Sequence, residues 1–399
     1  IVIWSKHVIT STTLPFDFTV FFFWMSSIEV SDNYVAVTKG LRIDRYDFAK
    51  HDCIKIPISK PLENDSISDI VISSDCKYLA VVSTVSKQLT VFELPQWNNY
   101  KSFTLPRSAS KIRFTSNNEH LLVADKTGDV LIYDINNPND SGTKLLGHLS
   151  LLLDVLQTND GKYIITSDRD EKIKVSCYPN TYNIQTYCLG HKEFVKQIEI
   201  LPHDENYLTS TSGDGTIKCW DYLNGKLAHT IDTNDDIKDA QLLENFVKVM
   251  NDDEIEVEKL PIVHYTISHL DDNSSLLVVA VHTCNTLLVY RLESNNNQLC
   301  HKLLERITMD RFPAAIKLYK SSLYVYDDVE CTVQVLKIEY KDNKINVQSD
   351  KVIKMFEKDD TSIDIRDNNE SIKLLYKRKF DNVQEYQERK KQRLEKSIS

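Results

Sequence analysis

Three side chains near the middle of the chain are of the types that make a nucleophilic catalytic triad, namely His148, Asp154 and Ser167. In a triad the imidazole takes the proton of the hydroxyl, and the carboxylate orients the imidazole. The same residue types also form buried hydrogen-bonded relays that serve only structure. Here their spacing follows a repeat in the sequence, so we interpret the three residues as a structural relay within a β-unit.

The rest of the sequence carries no motif for catalysis or cofactor binding. The GxGxxG, P-loop, GxSxG and HExxH patterns do not occur. Nine glycines in 399 residues leave little material for a glycine-rich phosphate cradle. His264 and His269 have a spacing that suits metal ligation on neither a helix nor a strand. We therefore predict a protein that is not an enzyme and that holds no cofactor or metal of its own.

A short charged run suggests a different chemistry, the recognition of a charged partner. The stretch from Asp168 to Lys174 reads DRDEKIK and contains six charged side chains in seven residues. We expect a turn at Asp170 and Glu171, followed by a strand in which Lys172 and Lys174 share one face. Such a mixed-sign patch suits a protein partner of complementary charge. A solvated turn is the plainer alternative.

The C-terminal tail is the second charged feature. From Lys373 to Lys396 there are nine basic residues against four acidic ones. Asp381 followed by Gln384 resembles a capping box, and the run beyond it contains neither Gly nor Pro, so we predict a basic helix over 377–399. We expect contact with RNA phosphate or with a partner, and a solvated tail is the alternative. The candidate contact residues are Lys377, Arg378, Lys379, Arg389, Lys390 and Lys391.

A sequence repeat determines the elements that must position these side chains. Residues 147–176 and 190–220 both begin with Gly-His, and the second copy ends at Trp220 followed by Asp221. The offset is 43 residues between His148 and His191 and 44 between Ser176 and Trp220. This interval with these ends is typical of a WD-repeat β-propeller. One four-stranded blade cannot bury both of its faces, so blades stack around an axis.

The blade count follows from residues that mark the ends of third strands. Counting outward from Trp220 gives seven such marks: Tyr46, Phe92, Tyr133, Ser176, Trp220, Tyr290 and Leu336. We therefore predict an all-β fold, a seven-bladed WD-repeat β-propeller over 25–376 with the basic C-terminal helix after it. Gln197 replaces the relay aspartate in one blade and Ser176 replaces the tryptophan in the other. The relay is thus expected to be incomplete in both blades.

Composition and charge narrow the class of protein. The contents of 41% hydrophobic and 27% charged residues are ordinary for a globular chain. The net charge of −10 argues against nonspecific duplex binding by the whole surface. Eight cysteines without a CxxC pair indicate reduced thiols in a nuclear or cytosolic protein.

Two segments depart from the repeat. Residues 1–24 carry the apolar run FTVFFFW, which is too short to span a membrane. We expect this segment to be an upstream extension or an artefact of the gene model, with a membrane anchor as the alternative. The insertion at 232–258 has ten acidic residues against two lysines, which predicts a solvated, mobile loop.

Several of these stretches together resemble a known family. GHLSLLLDV, TSDRDEKIKVS, CLGHKEFV and STSGDGTIKCWDY occur in that order, and LYKRKFDNVQEY follows near the C-terminus. They are similar to the non-catalytic WD-repeat subunit of tRNA (guanine-N7-)-methyltransferase, the Wuho-like family. The similarity is densest over 147–222 and 374–391.

The resemblance implies a division of labour. A separate catalytic subunit would bind S-adenosylmethionine and methylate a guanine in the tRNA variable loop, and this chain would form a heterodimer with it. The partner contact carries over to Asp170, Glu171 and Lys174, with Arg169 and Lys172 as neighbours. The tRNA would be met through the complex, no membrane would be involved, and the location would be the nucleus, with the cytoplasm as a second compartment.

Other functions remain open on the residues alone. A general WD-repeat scaffold, such as the substrate adaptor of a ubiquitin ligase, would use the propeller's top face. A propeller hydrolase would need polar catalytic groups that converge on the central channel. A stand-alone tRNA binder is disfavoured by the net charge of −10.

Overall fold

The structure is a computed structural model that describes residues 26–377, apart from 48–50, 59–61, 63–64, 98, 138, 296–297, 342–343 and 357–367. The described chain forms seven four-stranded sheets, each built from four consecutive antiparallel strands. We number these sheets blades 1–7 in chain order. This confirms the predicted seven-bladed β-propeller.

The strands of each blade are as follows. Blade 1 holds β1 (Ile28–Val30), β2 (Val35–Lys39), β3 (Arg42–Tyr46) and β4 (His51–Lys55), and blade 2 holds β5 (Ile67–Ile72), β6 (Tyr78–Ser83), β7 (Gln88–Glu93) and β8 (Tyr100–Thr104). Blade 3 holds β9 (Ala109–Phe114), β10 (His120–Asp125), β11 (Asp129–Asp134) and β12 (Thr143–Gly147), and blade 4 holds β13 (Leu152–Gln157), β14 (Tyr163–Asp168), β15 (Ile173–Cys177) and β16 (Ile184–Cys188). Blade 5 holds β17 (Val195–Ile200), β18 (Tyr207–Ser212), β19 (Thr216–Asp221) and β20 (Lys226–Asp232), and blade 6 holds β21 (Ile262–Asp271), β22 (Ser274–Val281), β23 (Thr286–Asn295) and β24 (Gln298–Thr308). Blade 7 holds β25 (Ala315–Tyr319), β26 (Ser322–Asp327), β27 (Thr332–Lys341) and β28 (Lys344–Lys354).

The first strands of the blades surround the propeller axis. Each contacts the first strand of the next blade, and β1 contacts both β5 and β25, so the ring closes between blades 1 and 7. The closure includes an ion pair of 2.8 Å between Lys317 Nζ and Glu29 Oε1. A cavity of about 620 Å³ lies among these first strands.

Third strands account for the repeat seen in the sequence. Each of the seven predicted marks lies in the third strand of a different blade, from Tyr46 in β3 to Leu336 in β27. Trp220, Tyr133 and Tyr290 are among the largest fully buried side chains. Six of the seven marks are large side chains that fill the space in or between blades, and Ser176 of blade 4 is the exception.

The acidic insertion is a folded element, so the prediction of a mobile loop was wrong. It contains a short 3-10 turn, Asn234–Asp236, and helix α1, Ala240–Asn251. The Asp239 side chain caps α1 by accepting from the backbone N–H of Leu242 (3.0 Å). Phe246 and Met250 are buried in the core cluster of blades 5 and 6. Seven of the ten acidic residues are exposed while these two apolar ones are buried, which is why net charge alone was misleading.

A second short helix, α2 (Asn368–Lys373), returns the chain to blade 5. Ile372, Leu375 and Tyr376 are buried in the same cluster that holds α1, and Lys373 forms an ion pair with Asp253 of the insertion. The insertion and this segment therefore pack together over blade 5. Neither helix of the described part of the chain has the length and apolarity that a membrane span requires.

Candidate partner-binding surface

A complete polar relay runs through blade 5. Trp220 Nε1 donates to Ser210 Oγ (2.8 Å), and that hydroxyl lies 2.8 Å from His191 Nε2. His191 Nδ1 lies 2.9 Å from Asp214 Oδ2. Burial lowers the pKa of His191, so the neutral imidazole can accept at Nε2 and donate at Nδ1. The expectation that this blade lacks its aspartate was wrong, because Asp214 in the turn supplies the carboxylate, not position 197.

Blade 4 holds the same relay without its tryptophan. His148 Nδ1 lies 2.9 Å from Asp168 Oδ2, and its Nε2 lies 2.8 Å from Thr166 Oγ1. Ser176 takes the place of the tryptophan, and its buried hydroxyl finds no hydrogen-bond partner among the described residues. The missing tryptophan was predicted correctly, but the predicted partners Asp154 and Ser167 were wrong.

Asp154 lies next to the propeller axis instead. It lies in the first strand of blade 4 and receives two hydrogen bonds from the Arg113 guanidinium, at 3.1 and 2.8 Å. Arg113 also pairs with Glu199 of blade 5 (2.8 Å). His148, Asp154 and Ser167 therefore do not converge, and a triad is excluded. Among the described residues, no group of three or more His, Cys, Asp or Glu side chains is placed to hold a metal ion.

The charged run forms the turn between β14 and β15, as predicted. Glu171 adopts a left-handed φ of 68°, the conformation that Gly215 (φ 71°) adopts in the matching turn of blade 5. Arg169 donates its backbone N–H to Leu151 O (2.9 Å), which ties the turn to the start of the blade. Lys172 is exposed. We call residues 169–172 the blade 4 turn.

Lys174 does not lie on the surface, although the sequence analysis placed it in an exposed charged patch. Its side chain is buried, and Nζ donates to the backbone oxygen of Gly147 (2.8 Å). Burial lowers the pKa of this lysine. The ammonium therefore holds the end of β12 in place and presents little of its charge to a partner. Its predicted role in partner binding stays a prediction.

The tail and the blade 4 turn, predicted as separate sites, meet in the structure. Lys377 Nζ lies 2.5 Å from Glu171 Oε1 and 3.8 Å from Asp170 Oδ1. Tyr376 fixes this approach, since its hydroxyl donates to Gly213 O (2.8 Å) and its ring packs edge-on against Phe194. The other predicted tail contacts, Arg378, Lys379, Arg389, Lys390 and Lys391, lie outside the described residues, as does the predicted C-terminal helix.

Glu193, which sequence reasoning missed, lies at the joint between the two blades. Burial and the nearby carboxylate of Glu171 raise the pKa of Glu193 to about 7, against the opposing effect of Lys377. Asp214 and Glu258 add to the negative charge around it. Nothing in its sequence position pointed to this, because the carboxylates come from blade 4, blade 5 and the insertion.

Comparison with known proteins agrees with this architecture. A family model described as the tRNA methyltransferase TRM82 WD40 domain matches residues 44–142 and 133–323. The tRNA (guanine-N(7)-)-methyltransferase non-catalytic subunit wuho of Culex quinquefasciatus is 31% identical over 344 residues, which cover 84% of this chain and 78% of that protein.

Vertebrate relatives align over a shorter stretch. The tRNA (guanine-N(7)-)-methyltransferase non-catalytic subunit wdr4 of Danio rerio is 40% identical over 174 residues, covering 44% of this chain and 42% of the relative. The wdr4 subunit of Xenopus laevis is 41% identical, and the match again spans 42% of each chain. Less than half of these two relatives' length is thus matched.

Among solved structures, a chain of a mitotic checkpoint complex superposes with a TM-score of 0.61 at 13% identity, covering 82% of this chain and 96% of that one. The WD40 repeats of RRP9 superpose with a TM-score of 0.58 at 17% identity, covering 75% and 86%. At these identities the likeness concerns the propeller fold alone.

Proposed function

Because this chain belongs to the family of WD-repeat, non-catalytic subunits of tRNA (guanine-N7-)-methyltransferase, we propose that it binds the catalytic subunit and holds it in its active form. It contributes no acid, base or nucleophile to the reaction. The S-adenosylmethionine and the tRNA guanine of the variable loop are bound by the catalytic subunit of a heterodimer, and the assembly works in the nucleus and also in the cytoplasm.

The difference between blades 4 and 5 is the observation that carries the proposal. Glycines 213 and 215 form the blade 5 turn, and the chain itself packs against both. A Cβ at Gly213 would come within 2.4 Å of the Phe194 ring, and one at Gly215 would approach Asn234 and Leu260 O. The blade 4 turn instead carries four charged side chains, and Lys172 among them is exposed. A turn of mixed charge with an exposed lysine suits a protein partner of complementary charge.

Population shift supplies the physical mechanism. A catalytic subunit with mobile tRNA-binding loops populates its competent form only in part, and a propeller that prefers that form raises its population. The gain in methyl transfer is then limited by the difference in affinity of the propeller for the two forms. This route needs no reacting group on the present chain.

Co-expression tests the proposal. The catalytic subunit of the same organism is produced with and without this chain, and 7-methylguanosine in tRNA is measured by nucleoside mass spectrometry. We expect the modified nucleoside to rise at least tenfold when both chains are present, and the two chains to co-purify. Equal modification with and without this chain would contradict the proposal, as would co-purification with a ubiquitin ligase and no methyltransferase.

The basic tail is proposed to extend the tRNA-binding surface of the complex. Lys377 lies at the blade 4 turn, so residues 378–399 begin beside the partner site. Truncation after Tyr376 keeps the buried anchor of the segment and removes the basic residues. We expect weaker tRNA binding by the complex and a shallower dependence of affinity on salt, because fewer phosphates are neutralised. Unchanged affinity at all salt concentrations would show that the tail is only solvated.

A further inference from the structure

Blade 4 leaves three apolar side chains uncovered beside its charged turn. Leu149 is fully exposed, Leu189 is 62% exposed and Tyr187 is 39% exposed. Single exposed apolar side chains are ordinary on a protein surface, whereas several around one feature mark a docking surface. The question is therefore whether these three lie around one feature.

The position of Lys174 relates Leu149, Tyr187 and Leu189 to one another. Tyr187 lies directly opposite Lys174 in the register of β15 and β16, so the two side chains share a face with their Cβ atoms about 5 Å apart. The Lys174 ammonium holds Gly147 O, two residues before Leu149. Leu189 follows Tyr187 by two residues and lies one position past the end of β16. Tyr187 thus lies opposite the buried Lys174, and Leu149 and Leu189 each lie two residues from a residue that contacts or opposes this lysine.

Blade 5 has the same lysine and none of the apolar residues. Lys218 takes the place of Lys174, and its cross-strand neighbour is Thr230. The 43-residue offset places Lys192 at the position of Leu149, and Asp232 follows Thr230 by two residues. The lysine is therefore common to both copies of the repeat, and the apolar residues distinguish blade 4.

In blade 5 the insertion comes up to these positions and leaves the Lys192 side chain exposed. Lys192 lies 4.0 Å from Glu258, and Asp232 forms an ion pair with Lys259. Leu260 N donates to Asn234 Oδ1 (2.9 Å), which completes the attachment of the insertion to this edge. The fold thus attaches a polypeptide segment at this edge of blade 5 through polar contacts, whereas the corresponding positions of blade 4 are apolar and exposed.

We propose that Leu149, Tyr187 and Leu189 form an apolar docking surface for the catalytic methyltransferase subunit. The occupant is an apolar segment of that subunit, flanked by an acidic side chain that meets the exposed Lys172, since Lys377 of this chain pairs with Glu171 and Asp170. A central apolar contact with a charged rim is the usual anatomy of a protein interface. The inference rests on the proposed function. It adds which side chains supply the binding affinity.

The test is a binding titration of the full chain with the purified catalytic subunit. The variant is Leu149→Ser with Leu189→Ser, and the matched control is Val329→Ser with Val352→Ser, two exposed residues of blade 7. We expect a dissociation constant about tenfold higher for each leucine removed, hence about 100-fold for the pair. The control should stay within twofold of the wild-type chain, and all melting temperatures should agree because the four side chains are exposed.

The outcomes separate this inference from the function on which it rests. If the wild-type chain binds and the leucine variant binds equally well, the docking surface is refuted and the proposed function stands. If the wild-type chain does not bind the catalytic subunit, both are refuted. Light scattering gives the third outcome: a wild-type dimer that the leucine variant converts to a monomer, with unchanged methyltransferase affinity, would assign the surface to a second copy and overturn the inference.

Discussion

Blades 4 and 5 share a sequence repeat and expose different surfaces. Both keep a histidine bonded to an aspartate at the end of the second strand or in the turn after it, and both keep a lysine at the same point of the third strand. Blade 5 completes its relay with Trp220 and is covered by the insertion and by Tyr376. Blade 4 has Ser176 in place of the tryptophan, and its turn carries charge. Blade 5 is thus held by its own chain, and we propose that blade 4, the degenerate copy of the repeat beside it, is the one that binds a partner.

We expect the largest effect on stability from a substitution in the complete relay of blade 5. Trp220→Ala removes a fully buried ring and leaves the Ser210 hydroxyl without its donor. We expect a loss of about 3–5 kcal/mol in the free energy of unfolding, measured by urea denaturation. A loss below about 1 kcal/mol in the free energy of unfolding would mean that the complete relay does not stabilise blade 5.

A pH-dependent effect is expected at the joint of the two blades. The folded pKa of Glu193 is raised to about 7 from an ordinary value of 4.5. Between these values the unfolded chain loses the proton first, so stability falls as pH rises and the loss is complete above about pH 7. Glu193→Gln should therefore be more stable than the wild-type chain at pH 8, by at most about 3 kcal/mol, and equal to it near pH 4. A difference that does not change with pH would contradict the assigned pKa.

The shared lysine offers a matched pair of variants. Lys174→Met keeps the aliphatic stem and removes the ammonium that holds Gly147 O beside Leu149. We expect partner affinity to fall about tenfold, or about 1.4 kcal/mol, because the loop carrying Leu149 loses its tether. Lys218→Met in blade 5 should leave that affinity within twofold. Equal effects of the two substitutions in a binding titration would remove the distinction between the blades.

The smallest effect concerns the vacated tryptophan position. Ser176→Ala removes a buried hydroxyl that has no hydrogen-bond partner among the described residues. We expect a gain of about 1 kcal/mol in the free energy of unfolding and no change in partner binding. Thermal denaturation of the variant and the wild-type chain measures the change. A loss of stability would show that the Ser176 hydroxyl forms a hydrogen bond.

The fold was predictable from the repeat, because third-strand residues such as Tyr133 and Trp220 must recur to fill the space between blades. The relay partners were not predictable, because Asp168 ends β14 whereas Asp214 lies in the turn after β18, and the sequence does not reveal this difference. The insertion was misjudged since its acids hide the apolar helical spacing of Leu243, Phe246 and Met250.

The surface was harder to predict than the core. The sequence indicated the charged turn, but a lysine in a strand gives no sign of whether its ammonium meets solvent or a carbonyl, as Lys174 does. Exposure of Leu149 and Leu189 depends on what the neighbouring loops cover. Only the folded chain determines that.

One measurement tests the central claim, that blade 4 rather than blade 5 holds the catalytic subunit. Arg169→Gly, Glu171→Gly and Lys172→Thr together convert the blade 4 turn into that of blade 5, and the left-handed φ of Glu171 suits glycine. The dissociation constant for the catalytic subunit is then measured beside the melting temperature. We predict a folded chain with unchanged melting behaviour and at least tenfold weaker binding. A folded variant with wild-type affinity would contradict the account.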